Sequence, residues 1–120
     1  MAVFLYGSLR YLPLLRVVLG REPDALRPAF LPGHAVRTVR PQGFPLIMAE
    51  EGASADGLLL EDLSPAEAAR LDFYEGGFGY ATREVTVQTA DGPDVAQVYF
   101  PEPGLWQAGD PWSLDDWARH

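Results

Sequence analysis

The sequence predicts a mixed α+β fold: a small curved sheet or mixed β-barrel of about six strands with two short helices against it. Three observations lead there. Several segments read as strands, separated by Gly, Pro and Asp-Gly punctuation. Only two segments carry helix signals, and one has a clear start at Leu63-Ser64-Pro65-Ala66-Glu67. The length of 120 residues, with 48% apolar and 22% charged side chains, makes one ordinary domain that buries roughly two-thirds of its unfolded surface.

The elements follow in order. Ala-Val-Phe-Leu-Tyr at 2–6 is a continuous apolar run ending at Gly7 and reads as a buried strand. A short helix follows, with Pro13 in its first turn and Gly20 as its stop. Residues 21–25 form a polar connection. Residues 27–40 hold strand-like pieces broken by Pro28, Pro32 and Gly33, which predicts a bent or bulged edge. Residues 44–48 make another short strand, 53–56 a turn, and 57–61 a further strand. Ser64 then caps the second helix, Pro65 takes its first position, and Glu67 completes a capping box. Ala68 and Leu71, with Ala69 or Asp72, give it only a narrow apolar stripe, and Gly76-Gly77 stops it at about Glu75. Residues 80–89 alternate around Val85 and Val87, Asp91-Gly92 supplies a hairpin turn, and residues 95–100 pair back. After Pro101 the composition changes. Pro103, Gly104, Gly109 and Pro111 punctuate a tail that holds all three tryptophans. Residues 1–100 are thus expected to form the domain and 101–120 a Trp-rich extension. A capped helix start at Ser113 has little chain left before His120, which suggests a domain boundary there.

Composition removes whole classes of chemistry. With no cysteine there are no disulfides, thiolate metal sites or cysteine nucleophiles. All nine basic residues are arginine, so no lysine base, Schiff base or P-loop lysine exists. A net charge of −8 opposes nucleic acid and anionic membranes unless one face gathers the arginines. No basic region precedes the apolar run at 2–6, and that run is far too short for a signal core or a membrane span. A cytoplasmic location is therefore expected. The two histidines, His34 and His120, have no metal-ligand spacing, and no metal site is expected. His34 reads as a surface residue at a loop or strand end. None of the four serines sits in a nucleophile elbow.

Two features can carry function. Tyr6-Gly7-Ser8-Leu9-Arg10 leads a strand through a tight turn into a helix. Gly7 allows a sharp turn and the close approach of a ligand, and successive N–H groups there can hold a carboxylate; a plain strand-to-helix turn is the alternative. The second feature is Leu71-Asp72-Phe73-Tyr74-Glu75-Gly76. Glu75 stands at a helix C-terminus among Phe73, Tyr74, Phe78 and Tyr80. The helix dipole and apolar neighbours both raise the pKa of a carboxyl, which suits it to give and take protons near neutral pH. An inert helix-end glutamate is the alternative. Asp72 is the rival carboxylate and is expected to face solvent.

Together the two features resemble the gamma-glutamylcyclotransferase-like superfamily. Tyr6-Gly7-Ser8-Leu9 comes first, Leu71-Asp72-x-Tyr74-Glu75-Gly76 about 65 residues later, then Tyr80 and the Val85–Val87 strand. Pro32-Gly33, Phe44-Pro45 and Gly57 also fall where that superfamily has similar features, and the likeness spans roughly residues 3–100. It implies a small mixed barrel with a cavity at the Tyr-Gly-x-Leu turn. It implies cyclisation of a gamma-glutamyl group to 5-oxoproline with release of the attached amine or amino acid, using no cofactor or metal. By matching positions, Tyr6, Gly7, Ser8 and Leu9 would bind the glutamyl unit and Glu75 would be the acid–base group, with Tyr80 beside them. Ser8 stands where threonine is common. Tyr80-Ala81-Thr82-Arg83 is one residue longer than the family's Tyr-x-Arg, so Arg83 receives no role. The chain also looks like domains that precede a Nudix hydrolase domain in some bacterial proteins, so a fused or partner Nudix domain is an expected neighbour. The competing readings are a catalytically silent binding or regulatory domain on the same barrel, and an interaction module presenting Trp106, Trp112 and Trp117.

Overall fold

In a computed structural model, which describes residues 2–23, 25–40, 44–76, 79–101 and 107–115, the described residues form six strands and two α-helices. They run β1 (Val3–Leu5), α1 (Leu12–Leu19), β2 (Leu26–Arg40), β3 (Pro45–Leu60), α2 (Pro65–Gly76), β4 (Tyr80–Thr89), β5 (Gly92–Pro101) and β6 (Gln107–Pro111). A short 3-10 turn, Ser8–Arg10, links β1 to α1. The sheet order is β3-β1-β5-β4-β2-β6, and a further β2–β3 pairing closes five strands into a mixed barrel with β6 added on β2. Closure satisfies the edge hydrogen bonds that an open sheet of this size would leave to solvent.

The expected strand 2–6 is β1, every residue of which is buried. Val3–Leu5 lie antiparallel to Leu60–Leu58 of β3, and Val3 is parallel to Gln97 of β5. Val3 and Leu5 pack into one core cluster and Phe4 into another, so both faces of the strand are covered, which explains the unbroken run. Gly20 ends α1 in the left-handed conformation at φ 79°, its N–H bonded to the Arg16 carbonyl at 2.9 Å.

The capping box is formed as expected. Ser64 N–H donates to Glu67 Oε1 at 2.9 Å, and Glu67 N–H donates to Ser64 Oγ at 3.2 Å. Glu67 is also buried and ion-paired with Arg21, which pulls its carboxyl well below the usual range and ties α2 to the end of α1. Arg16, Arg27 and Arg37 likewise lie against carboxylates, so these arginines gather no free basic face.

Residues 26–60 depart from expectation. Two long strands replace the predicted short pieces, and the turn expected at 53–56 lies inside β3. Pro32 pairs with Ser54 and His34 with Ala49, so Gly33 alone stands opposite Glu50, Glu51, Gly52 and Ala53. Gly33 (φ 72°) and Gly52 (φ 82°) take up that irregularity in the left-handed region. The glycines and prolines therefore bend a continuous ribbon instead of ending it. His34 lies within β2, partly buried, its Nδ1 2.9 Å from the Pro32 carbonyl and its ring edge-on to Phe100 at 5.7 Å.

One edge of β2 serves two partners. Ala29 and Phe30 pair with β4, while Arg37, Val39 and Arg40 pair with β6. Val39 is wholly buried, Trp112 N–H donates to the Val36 carbonyl at 3.1 Å, and the Arg10 guanidinium lies 5.9 Å from the Trp112 ring centroid. Trp106 and Trp117 lie outside the described residues. Truncation after Pro101 is expected to uncover Val39 and lower the melting temperature by about 5 °C or more, read by circular dichroism. An unchanged melting curve would show that β6 adds nothing to the barrel.

Candidate active site

The C-terminal end of β1 opens into a cavity. Tyr6, Gly7, Ser8 and Leu9 form one wall, and Phe4 and Leu5 lie beneath. Phe44 and Pro45, at the start of β3, form the second wall. Tyr74 and Glu75 enter from the last turn of α2, Tyr80 from β4 and Tyr99 from β5. The structure thus brings Tyr6, Gly7, Ser8, Leu9, Glu75 and Tyr80 to one place. The barrel does this, because β1 sits between β3 and β5, and β4 follows α2 directly.

Gly7 has a reason other than the one its motif suggests. Its φ is −123°, outside the left-handed region. What excludes a side chain is Pro45, whose Cγ would lie 2.6 Å from a Cβ at this position. The Arg10 N–H bonds the Gly7 carbonyl, and the Tyr11 N–H bonds the Ser8 carbonyl, both at 3.0 Å. Two of the turn's carbonyls are thereby engaged. The N–H groups that begin a helical turn have no partner within it.

Glu75 makes no hydrogen bond or ion pair to another described residue, and burial pushes its carboxyl up to about 7. Of the neighbours expected to desolvate it, Tyr74 and Tyr80 share its cavity. Phe73 does not, because it points outward and is 88% exposed. Phe78 lies outside the described residues, as does Gly77. The aromatic surroundings come instead from Tyr6, Phe44 and Tyr99, which helix periodicity could not reveal.

The tyrosines surrounding Glu75 are held in fixed orientations. Tyr6 donates its hydroxyl to the Tyr99 carbonyl at 2.8 Å. Tyr80 donates to the Pro45 carbonyl at 2.7 Å and meets the Phe44 ring edge-on. Tyr99 donates to Asp72 Oδ1 at 2.6 Å. The Tyr74 hydroxyl is 3.5 Å from Ser8 Oγ. Burial, and next the charge of Glu75 for Tyr6 and Tyr80, raise these phenols above their ordinary range. Tyr74 and Tyr99 are raised as well, each by burial first. All four therefore stay protonated wherever Glu75 titrates.

Asp72 is exposed, as expected, yet one of its oxygens holds Tyr99. Arg83 stays outside the cavity, its guanidinium 5.0 Å from the Phe100 ring centroid. Among the described residues, no three His, Asp or Glu side chains converge as a metal site would require. No described helix is long and apolar enough to cross a membrane.

Comparisons with known proteins agree with this architecture. The curated AIG2-like protein C of Arabidopsis thaliana is 26% identical over 124 residues, covering 98% of this chain and 69% of that protein. A solution structure of another Arabidopsis thaliana protein superposes with a TM-score of 0.80 at 25% identity, over 98% of this chain and 80% of that one. A solved gamma-glutamyl cyclotransferase shares the fold at a TM-score of 0.75 and 17% identity, over 92% of this chain and 70% of that one. Residues 3–119 match one family along nearly their whole length, and the chain belongs to it: the gamma-glutamyl cyclotransferase, AIG2-like family.

Proposed function

We propose that this protein cyclises a gamma-glutamyl group to 5-oxoproline and releases the attached amine or amino acid. The observation that supports this most is Glu75, the one carboxyl among the described residues of the cavity, raised to about 7 beside the Gly7–Leu9 turn. The substrate's own α-amine is the nucleophile. It attacks its side-chain amide carbonyl, so the reaction is intramolecular and the protein's task is to hold a folded conformer. The new N–C bond forms as the old amide N–C bond breaks. Glu75 takes one proton from the ammonium and gives it to the leaving nitrogen, and the ring nitrogen's second proton follows by the same route, so the lactam keeps one N–H, the amine leaves as an ammonium and no proton is gained or lost overall.

The value near 7 matters for the first step. An α-amino group titrates at about 8, and higher beside its own carboxylate. An ordinary glutamate at about 4.3 would have to draw a proton uphill by about 5 kcal/mol. A carboxyl at about 7 reduces that to about 1–2 kcal/mol. The Gly7–Leu9 amides are assigned to the glutamyl carboxylate or to the oxyanion, and Tyr6 and Tyr80 shape the walls around it.

Incubation with a panel of gamma-glutamyl amines and amino acids should release 5-oxoproline from at least one member. Release from none would leave the catalytically silent reading. For an active substrate, kcat/KM should rise with pH and level off above an inflection near 7, because only ionised Glu75 can accept the first proton. A profile that is flat between pH 5 and 8 would remove Glu75 from the proton-transfer step.

A further inference from the structure

We propose that Asp72 and Tyr99 form a positioning pair that holds the last turn of α2, and with it Glu75, against the cavity; the inference rests on the acid–base reading of Glu75. That turn is a poor place for two carboxylates. Asp72 and Glu75 both stand where the helix dipole is negative, and the last turn holds no basic residue to offset it. Apolar packing is thin as well. Within α2 only Glu67 and Leu71 are fully buried, both upstream of this turn, and in the turn itself Tyr74 is partly buried against the core.

The Asp72–Tyr99 bond adds a polar anchor to the Tyr74 packing. At 2.6 Å it has the length of a charge-assisted O–H···O⁻ bond. Tyr99 is only 4% exposed and sits in β5, so its hydroxyl is a fixed point. The same residue's main-chain carbonyl accepts the Tyr6 hydroxyl. Tyr99 is thus bonded to both halves of the cavity, to Tyr6 beside the glycine turn and to Asp72 on the helix that presents Glu75. Asp72 and Glu75 are three residues apart, so they are neighbours on the helix surface. Holding one sets the rotation and depth of the other, which has no hydrogen bond to another described residue. The titratable groups facing Glu75 are Tyr6 from β1, Tyr74 from α2, Tyr80 from β4 and Tyr99 from β5. None of these phenols is charged where Glu75 titrates, and Tyr99→Phe leaves the Asp72 carboxylate in place, so a turn loosened by that variant changes the titration mainly by letting water in.

Three variants test the pair. Tyr99→Phe removes the hydroxyl and keeps the ring. Asp72→Ala removes the acceptor. Asp72→Asn keeps an acceptor oxygen and serves as the conservative rescue. The Glu75 carboxyl is titrated by NMR in each, and kcat and KM are measured on a gamma-glutamyl substrate. Tyr99→Phe and Asp72→Ala should bring the Glu75 midpoint down from about 7 toward the ordinary carboxylate range. They should lower kcat about tenfold or more with KM within about threefold, as expected when a reacting group is misplaced. The double variant should be no worse than either single one, and Asp72→Asn should stay close to wild type. Should Asp72→Ala fail to fold, Tyr99→Phe against Asp72→Asn decides. An unchanged Glu75 midpoint in folded Tyr99→Phe protein overturns the pair. A wild-type protein with no turnover overturns the catalytic reading instead, and the titration still decides the pair.

Discussion

Glu75→Gln is expected to lower turnover at least about 10²-fold, the lower range for a lost general acid–base group. Glutamine keeps nearly the same shape but cannot exchange a proton with the substrate. Binding should survive, since the proposed glutamyl contacts lie on the Gly7–Leu9 turn across the cavity. Stability should respond in the opposite sense. A glutamate titrates near 4.5 in the unfolded chain and at about 7 in this fold. Between those values the folded form keeps a proton that the unfolded form has lost. Stability therefore falls as pH rises from 4.5 to 7 and stays lower above it. Glutamine carries no charge to desolvate, so the variant should match wild type at pH 4 and exceed it at pH 8 by up to about 3 kcal/mol. Denaturant unfolding at the two pH values reads this difference. Glu84→Gln, which neutralises an exposed carboxylate of β4 outside the cavity, is the control and should change turnover less than about threefold. Full activity in folded Glu75→Gln protein would falsify the catalytic assignment. A stability difference equal at both pH values would show that no buried charge is involved.

Gly57→Ala should be among the most damaging single methyl additions in the chain, costing about 3 kcal/mol or more. Gly57 lies in β3 beside the strand that leads to the site. A Cβ there would run into the Leu5 carbonyl and come 2.8 Å from the Phe4 ring. The first obstacle is backbone, fixed by the Leu5–Leu58 pairing, so it cannot swing aside as a side-chain end would. Relief requires β1 and β3 to part, which displaces Tyr6 and the turn after it. Loss of stability should therefore bring weaker ligand binding with it. Gly76→Ala is the comparison, because no atom beyond its neighbours lies within 4 Å of its Cβ position. It should be neutral or slightly stabilising, since alanine is the better helix former. Equal denaturation midpoints for Gly57→Ala and wild type would show that β1 and β3 separate more easily than their pairing suggests.

Several elements were legible because their causes are local. The apolar run at 2–6, the Ser64–Glu67 capping box, Gly20 after α1 and the Asp91-Gly92 turn each act within a few residues. The structure contains the first three as read, and the hairpin with its loop one position earlier, at Ala90-Asp91, with Gly92 opening β5. The two motifs around Gly7 and Glu75 were readable as one site only through their resemblance, in order and spacing, to those of the gamma-glutamylcyclotransferase-like superfamily. Residues 26–60 were less so, because proline and glycine mark a bend and a break alike. Which one occurs depended on partners: β3 runs along nearly the whole of β2, and β4 and β6 share its other edge.

Taken alone, the sequence determined the α+β class, most helix and strand positions, and the two segments that meet at the cavity. Only the tertiary structure decided what surrounds Glu75. Helix position placed Phe73 near it, yet that ring faces solvent. Phe44, Pro45 and Tyr99 stand there instead, brought in by barrel closure. The Tyr6–Tyr99 bond spans 93 positions and the Tyr99–Asp72 bond 27. No local period or cap encodes such contacts. They arise because closing β3-β1-β5-β4-β2 into a ring sets which distant side chains share one end of the barrel, and that shared environment sets the proton affinity of Glu75.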